Sequence, residues 1–293
     1  MAFAENINVM WFRQDLRLAD NPALSKALED GKTLPIFIFD NVNSKEYING
    51  AASKWWLHHS LTKLNKSLKS KLCFFIGNPI DILNEINNKL KISNIFWCRC
   101  YEPWRIKRDK KIKKYFNDQN INVNTLNGSL LWEPWNIAKK DGTPYKVFTP
   151  YYRKGCLNSD KPRMPLPVPN LSNLISIENY GLNIDDLDLM PKQNWYSKMT
   201  SLWSPGEEGG LNKIEEFISN GLNNYKEGRN FPSNQNVSQL SPHLHFGEVS
   251  PNQVWYRAKT KEGKLGIKKD LDHFLSELGW REFSFNLLYH FPF

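Results

Sequence analysis

Residues 8–39 read NVMWFRQDLRLADNPALSKALEDGKTLPIFIF, and this stretch holds one whole strand–helix–strand unit. NVMWF at 8–12 is a short apolar run that breaks at once into charged RQDLRLAD, as a strand feeding a loop does. Asp20 or Asn21 is placed to cap a helix with Pro22 in its first turn and Leu24, Ala27 and Leu28 on its inner face. LPIFIF at 34–39 is continuously apolar, the pattern of a parallel strand buried on both faces. The same alternation continues outward. A helix is expected over 52–68, with Trp55, Trp56, His59 and Leu64 near helical spacing, followed by a strand in KLCFFIG at 71–77. A helix over 79–90, the strand NIFWC at 94–98, a helix over 104–119 and the strand NVNTL at 122–126 complete the series. Strands and helices alternating through short connections predict an α/β fold, a doubly wound, parallel five-stranded Rossmann-like sheet. No GxGxxG follows the first strand, so the usual dinucleotide fingerprint assigns nothing here.

Beyond residue 127 the pattern changes. GSLLWEPWNIAKKDGTPYKVFTPYYRKGC mixes aromatics, Gly and Pro without a period, and KPRMPLPVPNLSNL has too many prolines for a helix or a central strand. This reads as a long connection whose aromatics pack between two larger units. Helical periodicity then returns. Residues 207–221 carry Leu211, Ile214, Phe217 and Ile218 on one expected face. Pro251 opens another helix behind a Ser250 cap, 259–269 is a basic loop, and a final helix runs from 268 towards 288.

The charge is +9 with 39 Lys and Arg against 30 Asp and Glu, which favours a polyanionic partner. Seven basic residues fall within 105–114, a run expected to be a solvated helix face. Cys73, Cys98, Cys100 and Cys156 match no zinc spacing and read as free thiols of a reducing compartment. His243 and His245 lack a third ligand at matching spacing, so no metal is assigned. MAFAENINVMWF has no basic segment before an apolar run, and no stretch is long enough to span a membrane, so a cytoplasmic protein is expected.

In the last helix Glu277, Trp280, Arg281 and Ser284 recur at i, i+3, i+4 and i+7 and share a face. A carboxylate, a flat ring and a guanidinium together suit a ligand with π surface and charge. An ordinary Glu277–Arg281 ion pair and a packed Trp280 account for the same spacing. Ser238 and Ser241, just ahead of Pro242, are placed either to hold an anion near a helix start or to satisfy their own turn.

WFRQDLRLADNPAL at 11–24, WSPGEEGGLNKIEEF at 203–217, LSPHLHFGEVSP at 240–251 and ELGWREF at 277–283 resemble, in order, signature stretches of the DNA photolyase and cryptochrome family. TPYKVFTPYYR at 143–153 is similar to that family's linker. The resemblance implies an antenna-binding α/β domain over 1–130, an interdomain linker over 131–200 and an incomplete helical FAD- and DNA-binding domain over 201–293. It places Tyr225, Ser238, Leu240, Ser241 and Arg281 on the FAD, and Glu277 and Trp280 as catalytic groups against the damaged bases. Val237 and Gln239 depart from that pattern, standing where Thr and either Arg or a small residue are common. Tyr101, Glu102 and Pro103 resemble a stretch near the family's pocket for an antenna, a folate (methenyltetrahydrofolate) or a deazaflavin. Cys98 precedes Arg99 there, in place of the family's frequent Asn-Arg pair. The expected activity is light-driven repair of cyclobutane pyrimidine dimers in DNA by a monomer resembling a class I photolyase, truncated at its C-terminus. A cryptochrome-like photoreceptor and a non-catalytic antenna-binding module are the alternatives.

Overall fold

The computed structural model describes residues 6–44 and 47–292. Residues 1–5, the first part of the MAFAENINVMWF opening, and Phe293 at the end of HFPF lie outside them. Strands β1 (Ile7–Phe12), β2 (Thr33–Phe39), β3 (Cys73–Ile76), β4 (Ile92–Cys98) and β5 (Asn122–Leu126) form one parallel sheet in the order β3-β2-β1-β4-β5. Between them run α1 (Pro22–Asp30), α2 (Ala51–Ser67), α3 (Pro79–Leu90) and α4 (Pro103–Asn117). The fold is the one the alternation predicts. Apolar residues divide between the two faces with the two-residue period of a strand. Met10, Phe12, Phe37 and Phe96 pack with α1 and α2, whereas Val9, Trp11, Ile36 and Ile95 pack with α3 and α4. Asn21, not Asp20, caps α1, its Oδ1 accepting from Leu24 N at 3.1 Å.

The connecting segment splits its loyalty. Trp132, Tyr151 and Tyr152 are buried in the core of the helical part, while Leu174, Leu187 and Leu189 pack back against the sheet's α1–α2 side. Ile175 N donates to Thr33 O and Leu182 N to Phe74 O, so this strap is pinned to β2 and β3. The expectation of packed aromatics fails at Trp135 and Trp195, which are exposed. The short turn α5 (Phe148–Pro150) continues as a π-helix over Tyr151–Gly155.

The helical part comprises α6 (Ser197–Leu202), α7 (Glu207–Glu216), α8 (Tyr225–Gly228), α9 (Ser241–Phe246), α10 (Pro251–Lys259) and α11 (Lys268–His290). The run expected over 207–221 ends its α-helix at Glu216 and closes as a π-helix over Phe217–Gly221. Leu211, expected on its inner face, is exposed. Gly210 takes that face instead, because a Cβ there would stand 2.6 Å from Val249 Cγ1. Hydrophobic spacing cannot register a contact made by a missing side chain. Ser250 caps α10 through a reciprocal box with Gln253. Among the described residues no helix is long and apolar enough to cross a membrane.

Candidate functional site

The charged loop after β1 locks the sheet to the helices. Arg17, buried, donates to Gly247 O, Gly128 O and Asp20 O at 2.6–3.2 Å. Asp20 accepts from Arg163, Leu166 N and Ser250 Oγ. Glu207, from the WSPGEEGG stretch, accepts from Leu18 N and Ala19 N, each at 2.8 Å. Glu248 accepts from Trp56 Nε1 at 2.9 Å and Gly206 N at 2.6 Å, and its second oxygen meets His243 Nδ1 at 2.5 Å. Gly247 is in the left-handed region (φ +68°), and a Cβ on it would fall 2.0 Å from Gln14 O. These motif residues are therefore interdomain clamps. Arg17 serves that interface through Gly247 O, whereas Asp15 accepts from Arg13 N and Asn21 Nδ2 and so shapes the loop itself.

The clamps hold open a cavity of about 390 Å3 between the carboxyl ends of β1 and β4 and the helical part. In a sheet of this order the crevice beside β1, where neighbouring connections run to opposite faces, is where ligands bind. Gln14, Arg99, Tyr101 and Glu102 come from that edge; Tyr225, Ser238, Leu240, Ser241, Glu277 and Arg281 come from the opposite side. Six of the seven residues singled out in the sequence thus share one cavity. They span 57 positions in the chain, and helical spacing alone relates only Glu277 and Arg281.

The seventh, Trp280, does not line it. Its ring stacks on Phe148 with centroids 3.7 Å apart and remains 46% exposed. A position one residue before Arg281 lies about 100° around the helix, which turns Trp280 out of the cavity. Ser284 also stays outside, its hydroxyl donating to Trp280 O. The expected common face is therefore narrower than the spacing suggested. The ordinary i,i+4 ion pair is not formed either. Glu277 meets Arg229 Nη1 at 2.5 Å, with His273 Nε2 at 3.7 Å, and Arg281 Nη1 donates to Glu282 Oε1 at 2.9 Å. The hydrogen bond to Glu277 raises the pKa of Arg229. Tyr225 lies under Arg229, its ring centroid 5.4 Å from the guanidinium carbon. Leu240 N donates to Ser238 Oγ at 3.5 Å, while Ser241 opens α9.

Several wall residues carried little sequence signal. Arg99 holds Glu133 through both carboxylate oxygens at 2.6 and 3.0 Å, and Tyr101 Oη donates to the same carboxylate at 2.7 Å. Burial, reinforced by Glu133, raises the pKa of Tyr101, so its hydroxyl stays a donor. Glu102 Oε2 is buried without a hydrogen-bond partner. Burial lowers the pKa of His245, so the ring is neutral at pH 7. Phe274, Leu278 and Phe285 line the apolar side, and their helical spacing with Glu277 and Arg281 was available in the sequence.

Gln14 and His245 also line a second, smaller cavity of about 90 Å3, with Arg13, Tyr47, Trp104 and Arg108 in its wall. The Tyr101–Glu102 turn, expected near an antenna, belongs to the larger cavity instead. Trp104 and Arg105, one turn on, reach the smaller one. Arg108 is no solvated cation: it is buried between Asp40 and Asp109. Among the described residues no group of three His, Cys, Asp or Glu side chains stands where it could hold a metal ion.

Residues 8–170 match the sequence profile of the family described as DNA photolyase. The chain belongs to the DNA photolyase family. It is 36% identical to a deoxyribodipyrimidine photo-lyase of Agrobacterium fabrum over 97% of its own length and 59% of that protein's. It is 31% identical to cryptochrome-2 of Arabidopsis thaliana over 97% of its length and 49% of that protein's. The chain therefore spans about half to three-fifths of the length of these curated relatives. Among solved structures, a bacterial class III photolyase from Agrobacterium tumefaciens superimposes with a TM-score of 0.89 at 34% identity, covering 100% of this chain and 61% of that one. This corrects the expectation of a class I photolyase. The motifs behind that expectation build interdomain clamps and a cavity wall, and a class III structure superimposes on the whole of the chain that carries them, so they do not fix the class.

Proposed function

We propose that the cavity holds FAD and that the photolyase-family protein uses it for light-driven repair of cyclobutane pyrimidine dimers in DNA, in the manner of a class III enzyme. The observation that carries this reading is the convergence of Tyr225, Ser238, Leu240, Ser241, Glu277 and Arg281 on one cavity. Its volume falls within the range of about 300–1,000 Å3 usual for ligand sites. The donor set fits a flavin nucleotide. The hydroxyls of Ser238 and Ser241 and the guanidinium of Arg281 suit a diphosphate, and Tyr225, Phe274 and Phe285 suit a flat ring. Glu102 Oε2, buried and unpartnered, awaits a donor such as a ribityl or ribose hydroxyl.

When bound, FAD supplies the light absorption and the electron transfer; the protein supplies position and electrostatics. Arg229, whose Nη1 also meets His273 Nε2 at 3.4 Å, fixes the Glu277 carboxylate in the cavity wall, where it faces a flipped base without swinging away. Trp280, backed by Phe148, presents an exposed ring that replaces the stacking a pyrimidine loses on leaving the duplex.

An antenna folate or deazaflavin does not fit the smaller cavity, whose volume of about 90 Å3 lies below the ordinary ligand range. No step is assigned to one. The similarity to a plant cryptochrome supports a second reading, a photoreceptor that keeps the flavin and lacks repair. Purification in the dark followed by an absorption spectrum tests the first part: flavin bands are expected, and their absence after reconstitution with FAD overturns it. Blue-light repair of a dimer-containing oligonucleotide then separates photolyase from photoreceptor.

A further inference from the structure

Glu282 follows Arg281 in α11 but points the other way, into the protein. It is 1% exposed. One oxygen accepts from Arg281 Nη1 at 2.9 Å; the other accepts from Leu131 N at 2.8 Å and Trp132 N at 3.3 Å. The next residue after Trp132 is Glu133, which grips Arg99 and Tyr101 on the sheet side of the cavity. A single carboxylate therefore joins the guanidinium of one wall to the peptide segment that orders the other.

We infer that Glu282 is a positioning residue that aims Arg281 into the cavity and takes up a proton when an anionic ligand binds there. The inference rests on the reading of the cavity as a site for a phosphate-bearing flavin nucleotide. The physical reason is Coulombic. An anion beside Arg281 competes for the guanidinium and adds like charge near the carboxylate, and both effects favour the neutral acid. Burial already pushes Glu282 up to about 7, opposed by Arg281 and the two amides. A small further rise therefore changes its charge at neutral pH. The other titratable groups facing it are Tyr151 on the adjoining π-helical turn and Cys156 directly after it. Burial raises both, Cys156 to about 12, so neither competes for the proton near pH 7.

The test is calorimetric titration of the full chain with FAD at pH 7 in buffers of different ionisation enthalpy. Net proton uptake is expected for the wild type and its loss in Glu282→Gln. FAD affinity of the wild type should fall between pH 6 and pH 8, by about tenfold for each pKa unit that binding adds to the carboxyl. The Gln variant should lack this dependence. FAD-minus-apo infrared spectra of the wild type need no variant and should show a carboxylate band replaced by a protonated-carboxyl band. FAD binding without proton uptake, or with equal uptake in both proteins, overturns the role of Glu282 and leaves the cavity reading intact. Failure of the wild type to bind FAD overturns both.

Discussion

The same signature stretches build two polar clusters of opposite character. Around Arg17, Asp20 and Glu248 the charged groups are 0–1% exposed and their oxygens and guanidinium nitrogens are all engaged by hydrogen-bond partners. Around Arg229 and Glu277 the side chains are about one-third exposed, and the nearby Glu102 Oε2 is buried with no partner at all. LSPHLHFGEVS alone supplies Ser241 to the second cluster and Glu248 to the first. Membership of a motif does not separate scaffold from site. Saturation of hydrogen bonds does, because a carboxylate with every lone pair committed has nothing to offer a ligand.

That contrast can be broken most forcefully at Glu248. Glu248→Ala strands Trp56 Nε1, Gly206 N and His243 in the interior, and a loss on the order of 3–5 kcal/mol is expected in denaturant unfolding. A loss below about 1 kcal/mol, the scale of a surface pair, would remove the distinction between the clusters. Glu282→Ala sits between the two clusters and should cost about 2–3 kcal/mol through its unsatisfied amides.

Glu282 also sets a pH dependence. Its folded pKa, about 7, lies above the ordinary glutamate value, so folding favours the protonated form. Its contribution to stability is therefore complete below the unfolded value and is lost as pH rises through about 7. The slope approaches at most about 1.4 kcal/mol per pH unit for one proton. Thermal melts between pH 5 and pH 8.5 should show this decline in the wild type and a flatter profile in Glu282→Gln.

Within the open cluster the effects should fall on ligands instead of folding. Arg281→Ala is expected to weaken FAD binding by about ten- to a hundredfold, the scale of one hydrogen bond to a charged group. Its effect on unfolding should be smaller than that of Glu248→Ala. Trp280→Ala should leave FAD binding unchanged, because the ring is outside the cavity, and lower affinity for dimer-containing DNA by about 1–3 kcal/mol. A Trp280 variant that loses FAD but keeps DNA would reverse its placement. Ser238→Ala should give the smallest change, about two- to tenfold in FAD affinity, because it removes an uncharged hydroxyl donor whereas Arg281 brings a full positive charge.

Much of the sheet was legible because its signal is local. Runs of four to six consecutive apolar residues are costly to leave in water, and an Asn-Pro pair marks the starts of α1 and α3, so β1, β2, α1 and α3 follow from neighbours along the chain. The site was legible only in part. Tyr225, Ser238 and Arg281 were recognisable by resemblance, while Gln14, Arg99 and Ser129 gave no local pattern that marks a cavity wall. Periodicity gave Trp280 the same face as Glu277, although the finer angle between them puts one inside the cavity and the other outside. Glu282 was hidden for the same reason, since a glutamate beside an arginine on a charged helix reads as surface.

By itself, then, the amino-acid order determined which segments become strands and helices and that the strands lie parallel and buried, since these outcomes depend on contacts between near neighbours and on apolar area. Only the tertiary structure decided which charges are clamps and which face a ligand. Those roles depend on partners up to 230 residues apart, as for Arg17 and Gly247, and on whether burial leaves an oxygen or a nitrogen without a mate.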